Sequence, residues 1–238
     1  MRHMADTDAN ARFAEGVALR DEGLAAARRG AWHRADDLLV QAQRAFHQAG
    51  LGGQVAWTML HQALVQERLG EAVQAIALCT GAEAMLRYHG DRSGIPLCFR
   101  RRGDVLRRQK RHEAALTQYC EGEAIYRGFG DNVGMIGVLA GKGFAYLGMG
   151  RRIEAHAAAA EALWKLQQLP APSGGDADAF LLHALAARVL GLSGDPDGAH
   201  LNLTRAAQIA ELAGLRQDRT DPDVEAELAA IPLAPAGS

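Results

Sequence analysis

Aromatic residues make up only 5% of the 238-residue chain, and it holds just three cysteines, seven prolines and three lysines. No apolar run approaches the roughly 18 to 20 residues that a membrane span needs, and no charged stretch followed by an apolar core opens the chain as a signal peptide would. A cytoplasmic protein without membrane contact is expected. Cys79, Cys98 and Cys120 are odd in number, lack CxxC spacing and lie inside helical pattern, so they read as reduced packing thiols. A phosphate-binding loop, a GxGxxG after a strand, HExxH and a GxSxG elbow are all missing, which leaves no catalytic residue, metal or cofactor to expect. His156 and His200 occupy equivalent places in successive helices, yet a metal site needs more ligands than that pair, and they read as solvated. With three lysines against twenty-three arginines, a pI near 6.5 and no RNA-reading motif, nucleic acid is not the expected partner.

What the chain does have is a helix-forming vocabulary. Alanine, leucine, arginine and glutamate recur, β-branched runs are few, and 48% of the residues are hydrophobic, enough for one sizeable core or one continuous array. The turns repeat with a period of forty: Gly30, Gly70, Lys110 and Gly150 form one series, and Gly50, Gly90 and Gly130 a second. Apolar 3.6-residue periodicity runs up to each glycine of the first series and restarts after it, so each unit reads as a helical hairpin.

Small residues recur in three registers. Gly23, Ala63, Gly103, Gly143 and Ala187 form the first, Ala35, Ala75, Ala115, Ala155 and Ala199 the second, and Ala42, Ala82, Gly122, Ala162 and Ala206 the third. Small side chains at these heights let helix backbones approach, while Leu39, Cys79, Tyr119, Ala159 and Leu203 fill the space between. These registers resemble the eighth, twentieth and twenty-seventh positions of the tetratricopeptide repeat (TPR), and the forty-residue length with "GDRSG" and "GDNVG" connections is similar to the longer variant of bacterial regulators and animal adaptors. The resemblance implies an all-α fold, a right-handed α-solenoid of five helical hairpins with a C-terminal capping helix. Repeats are placed at about residues 11–50, 51–90, 91–130, 131–170 and 175–214. Residues 1–10 read as a tail, with "MRHM" holding an expression remnant and Met4 the native start, and residues 215–238 as a cap and disordered end. The "LPAPSGGDADA" junction stretches the last period to forty-four and reads as a surface loop, the expected first site of proteolysis. One departure from the motif is a polar seventh position in Glu22, Gln62, Arg102 and Lys142.

In this family the first helix of each repeat lines a concave groove where ligands bind. Carried over position by position, the groove would hold Arg20 and Arg28, then Trp57, Glu67 and Arg68, then Arg100, Asp104, Arg107 and Arg108, then Phe144, and finally Arg188. Its first three repeats are basic and its last two mostly apolar. In "FRRRGDVLRRQKRH", residues 99–112, Arg100, Asp104, Arg107 and Arg108 share that face, whereas Arg101 and Arg102 point elsewhere. Arg28, Arg68 and Arg108 form a column suited to carboxylates or phosphates, and Trp57 and Phe144 are candidate aromatic anchors. The same arginines also suit ordinary solvated helix ends. The family's chaperone-type carboxylate clamp is not implied, because its asparagine position is Leu24, Leu64, Asp104, Phe144 and Arg188 here. The leading expectation is a non-catalytic adaptor or regulator that binds an acidic or amphipathic peptide. Two alternatives are a ligand-sensing transcriptional or signalling regulator, and an enzyme or biosynthetic accessory using Glu67, Asp104 and the arginines.

Overall fold

The computed structural model describes residues 2–168, 183–184, 186–187, 190 and 195–212. Among these, nine helices and no strand are found: α1 Arg2–Arg28, α2 Trp32–Gln48, α3 Gly52–Arg68, α4 Ala72–Tyr88, α5 Ile95–Arg108, α6 His112–Phe129, α7 Asn132–Gly148, α8 Arg152–Gln167 and α9 Pro196–Leu212. Residues 2–10, read from sequence as a tail, continue α1. The junction loop, Arg188 and the proposed cap at 215–238 lie outside the described residues. The chain divides into two compact units, Met1–Val105 and Leu106–Ser238. In the first, α1 packs on α2, α2 on α3 and α3 on α4; in the second, α6 packs on α7 and α7 on α8.

The turns follow from backbone sterics. All six glycines of the two turn series have φ between 67° and 86°, in the left-handed region where they act as helix stops. Each is followed by a six-to-one bond closing the helix end, such as Ala31 N–H to the Ala26 carbonyl at 3.0 Å and Arg151 N–H to the Tyr146 carbonyl at 2.9 Å. Lys110 takes the same turn with φ 59°, a conformation that costs a side-chain-bearing residue about 1 kcal/mol or more. The period of forty, not the residue, sets that backbone.

The small-residue registers are buried throughout: Ala35, Ala75, Ala115 and Ala155 show no exposure, and the Gly23, Ala63, Gly103, Gly143 and Ala187 register is equally covered. Around them, Ala26, Leu38, Leu39 and Val65 form one core cluster with Trp32 packed against it, and Ala42, Phe46 and Val55 another.

Three of the four polar seventh positions are explained by a repeated clasp, while Glu22 pairs with Arg34 at 2.6 Å. Nineteen residues separate Gln43 from Gln62, Glu83 from Arg102 and Glu123 from Lys142, and each pair joins a second helix to the following first helix. The contacts are 2.7 Å for the two glutamines and 2.6 Å for each ion pair. The carboxylates accept a second cation four residues on: Arg87 lies 2.7 Å from Glu83, and Arg127 bonds Glu123. Burial works to lower the Lys142 pKa, but the hydrogen bond and charge of Glu123 outweigh it and hold the ammonium above its ordinary range. In these three repeats the polar seventh position is thus half of a junction pair.

Of the three free thiols, Cys79 and Cys98 are fully buried packing residues as expected, and burial pushes each up to about 12. Cys120 is a correction, because it is exposed on α6 rather than packed. Iodoacetamide is therefore expected to modify only Cys120 in the native protein at neutral pH, with Cys79 and Cys98 reacting after denaturation. Native labelling of all three by intact mass would contradict the burial described.

Candidate functional site

In the Met1–Val105 unit the first helices of the hairpins, α1, α3 and the start of α5, carry most of the residues expected to bind. Arg20 on α1 is half-buried and held by two bonds to Asp21, at 3.0 and 2.9 Å, and one to Gln54 on α3 at 3.3 Å. Glu67, Arg68, Arg100 and Asp104 are also half-buried. The guanidinium of Arg68 lies 5.8 Å from the centre of the Trp32 ring, a cation–π contact that fixes its direction. Glu67 and Asp104 stand close enough to Cys79 for their charges to act on it, as do Arg101 and Arg102, which brings acids and bases of α3 and α5 to one neighbourhood. Arg28 is exposed.

Trp57 plays a role that the position count did not reveal. Its indole N–H donates to Asp91 Oδ2 at 2.9 Å, and the ring lies over Gly94, so the side chain ties α3 to the turn that leads into α5. Asp91 also accepts from the Ser93 hydroxyl at 2.6 Å, and these hydrogen bonds hold its carboxyl below the usual range.

The Leu106–Ser238 unit treats its candidates differently. Phe144 is only 4% exposed and Arg107 only 8%, with the guanidinium 5.4 Å from the ring centre. The pair is part of the packing of α7, and Phe144 presents no open aromatic face. Arg108 is half-buried. The His112 ring lies over Gly148, where a Cβ would come within 2.3 Å of it, and burial together with Arg107 and Lys110 lowers the His112 pKa. His156 and His200 are exposed. Among the described residues no group of three His, Cys, Asp or Glu side chains is placed to hold a metal ion, and no helix is long and apolar enough to cross a membrane.

Two residues outside the groove positions form a column of their own in the first unit. His61 and Arg101 occupy the sixth position of successive repeats, in one column with Asp21. The charges of Arg101 and Arg20 act on His61, with that of Asp21 opposing them. Burial first and the two guanidiniums next lower His61 to about 4, so the imidazole is neutral at pH 7. The forty-residue spacing of Asp21, His61 and Arg101 was the signal that would have found them. Arg102 does point elsewhere, into the clasp with Glu83.

Comparison with protein-family models finds no match, and neither does comparison with curated proteins. Solved structures do match in fold. The chain is similar to BtubC (BKLC) from P. vanneervenii, with 16% identity, a TM-score of 0.68 and coverage of 92% of this chain and 89% of that one. It is similar to a Rap protein in complex with Competence and Sporulation Factor, at 14% identity and a TM-score of 0.69 over 90% of this chain, but it spans only 57% of the Rap chain. The quorum sensor NprR from B. thuringiensis, in its apo form, matches at 17% identity and a TM-score of 0.62, with 92% of this chain and 58% of that chain covered.

Proposed function

The chain is a TPR-type helical-repeat protein in fold, and on that premise we propose that it is a non-catalytic interaction module, an adaptor or regulator that binds an acidic peptide segment on the first-helix face of its Met1–Val105 unit. One observation carries the reading: four guanidiniums, Arg20, Arg68, Arg100 and Arg101, are half-buried on α1, α3 and α5 rather than extended into water. Cations with part of their hydration removed gain more from a carboxylate than fully solvated ones do, and guanidinium geometry suits the two oxygens. The likeness to a Rap protein bound to a factor and to a quorum sensor supports the regulator form of the same reading.

The test is a peptide array in which acidic sequences are paired with their amide counterparts. Acidic members are expected to bind, and Arg68→Ala with Arg100→Ala to weaken them by more than about 1.5 kcal/mol, the range of charge-assisted hydrogen bonds. Arg29→Ala with Arg92→Ala, equally basic but exposed, is expected to change affinity little. Raising salt from about 0.1 M to about 0.5 M should weaken binding, since screening shortens to a few ångströms. Equal binding of acidic and amide peptides would remove the proposal.

A further inference from the structure

Independently of the peptide-binding reading, we infer that the uncovered side of α8, in the Leu106–Ser238 unit, docks a second copy of this chain, with the two α8 helices paired in parallel. Helix α8 turns Ala155, Ala158, Ala159 and Ala162 into the core, none more than 6% exposed. The opposite side of such a helix ordinarily carries polar and charged residues. Here it carries Ile153, Ala157, Ala160 and Trp164, all exposed, with Ile153 at 85% and Trp164 at 59%. The repeat does not demand this. The same register holds Asp37 and Arg44 in α2, Glu113 in α6 and Asp197 in α9, and Thr80 interrupts it in α4.

The spacing identifies the occupant. Ile153, Ala157, Ala160, Trp164 and Gln167 follow at intervals of four, three, four and three, the alternation that keeps one seam facing a partner helix in a two-stranded coiled coil. Ala157 and Ala160 at the middle of the seam let two backbones come near, and the large side chains at Ile153 and Trp164 close over the contact on either side. A lipid surface would call for a wider apolar face rimmed by cations, whereas the exposed Glu161 borders this one.

Flanking charge sets the direction. In a parallel pair a residue beside the seam faces one about five positions further along the other helix, which puts His156 against the partner's Glu161. Two-fold symmetry makes that contact twice. In an antiparallel pair Glu154 and Glu161 of the two copies share one side of the seam, and like charges oppose the association. The parallel order avoids this and leaves Glu154 with Arg151, 2.7 Å away. Seam and flanks amount to about nine residues a side, below the roughly 20 to 30 of a standard interface, so the dimer is weak and reversible.

The experiment is sedimentation equilibrium of the full chain from about 1 to about 200 μM, with the helicity of each variant followed by circular dichroism. The wild type is expected to dimerise within that range. Ile153→Asp and Trp164→Ala should each weaken the dimer about tenfold or more at unchanged helicity, since both side chains are exposed in the single chain. His156→Lys should tighten it about threefold and His156→Glu weaken it by a similar factor, while Val73→Asp, 81% exposed on α4, should leave it unchanged. Direction is read by Gln167→Cys with Cys120→Ser, which removes the exposed native thiol, under oxidised glutathione. A disulfide-linked dimer is expected, because residue 167 meets its own copy in the parallel seam but lies about 25 Å from it in an antiparallel one that pairs Ile153 with Trp164. A chain that stays monomeric to about 200 μM, a dimer indifferent to Ile153→Asp or equally disrupted by Val73→Asp, or failure of Gln167→Cys to cross-link overturns the inference. So does binding of a monomer to phosphatidylglycerol vesicles that Trp164→Ala abolishes, which would give the face to a membrane instead.

Discussion

Glu83→Gln is expected to destabilise the Met1–Val105 unit by about 3 kcal/mol, the cost of removing one charge from a largely buried ion pair. The Arg102 side chain is only 12% exposed, and Glu83 is the carboxylate 2.6 Å from it; the amide that replaces it can still accept a hydrogen bond but cannot offset the charge. The first junction predicts the rescue. There the same nineteen-residue clasp is built from Gln43 and Gln62, neutral partners 2.7 Å apart. Glu83→Gln with Arg102→Gln should therefore recover most of the loss, giving a coupling of about 2 kcal/mol in a double-mutant cycle. Arg87→Ala removes only the outer cation, 59% exposed, and should cost under about 1 kcal/mol. The urea midpoint of each variant decides the matter. A double variant no more stable than Glu83→Gln would mean that the pair is not the unit of stabilisation.

Gly141→Ala should cost about 1 to 3 kcal/mol, although alanine is the better helix former by about 1 kcal/mol. The added Cβ would lie 2.5 Å from Cζ of Tyr119, a ring with no exposure and thus no direction in which to yield. The sign should reverse when the ring is removed. With Tyr119→Leu as the starting point, Gly141→Ala is expected to be neutral or to stabilise by up to about 1 kcal/mol, because only the helix preference remains. Thermal melting of the four proteins completes the cycle. Persistence of the full penalty without the ring would place the cause in the backbone instead.

These two cycles mark where local sequence stops being sufficient. The hairpins were legible because turn and register are local: glycine at the left-handed stop and an alanine or glycine every time two backbones approach are visible in a single repeat and confirmed by its copies. The polar seventh position was legible as a departure, but its meaning was not, since Glu83 gives no hint along the chain that its partner is nineteen residues away. Trp57 and Phe144 illustrate the same limit. As groove positions they looked alike, yet one spends its N–H on Asp91 and the other is covered by Arg107.

The candidate site divides along that line too. Arg20, Arg68 and Arg100 lie on α1, α3 and α5 where the repeat period put them, because helix phase alone sets which face a residue joins. That Arg102 belongs with Glu83 depends on the second helix that carries the carboxylate, 2.6 Å from the guanidinium. Sequence by itself determined the helices, their turns and the period, since these rest on backbone conformation and nearest-neighbour spacing. Only the tertiary structure decided which of the arginines is neutralised within the fold, because burial and Coulomb energy depend on what faces a side chain across a helix junction, not on what precedes it in the chain.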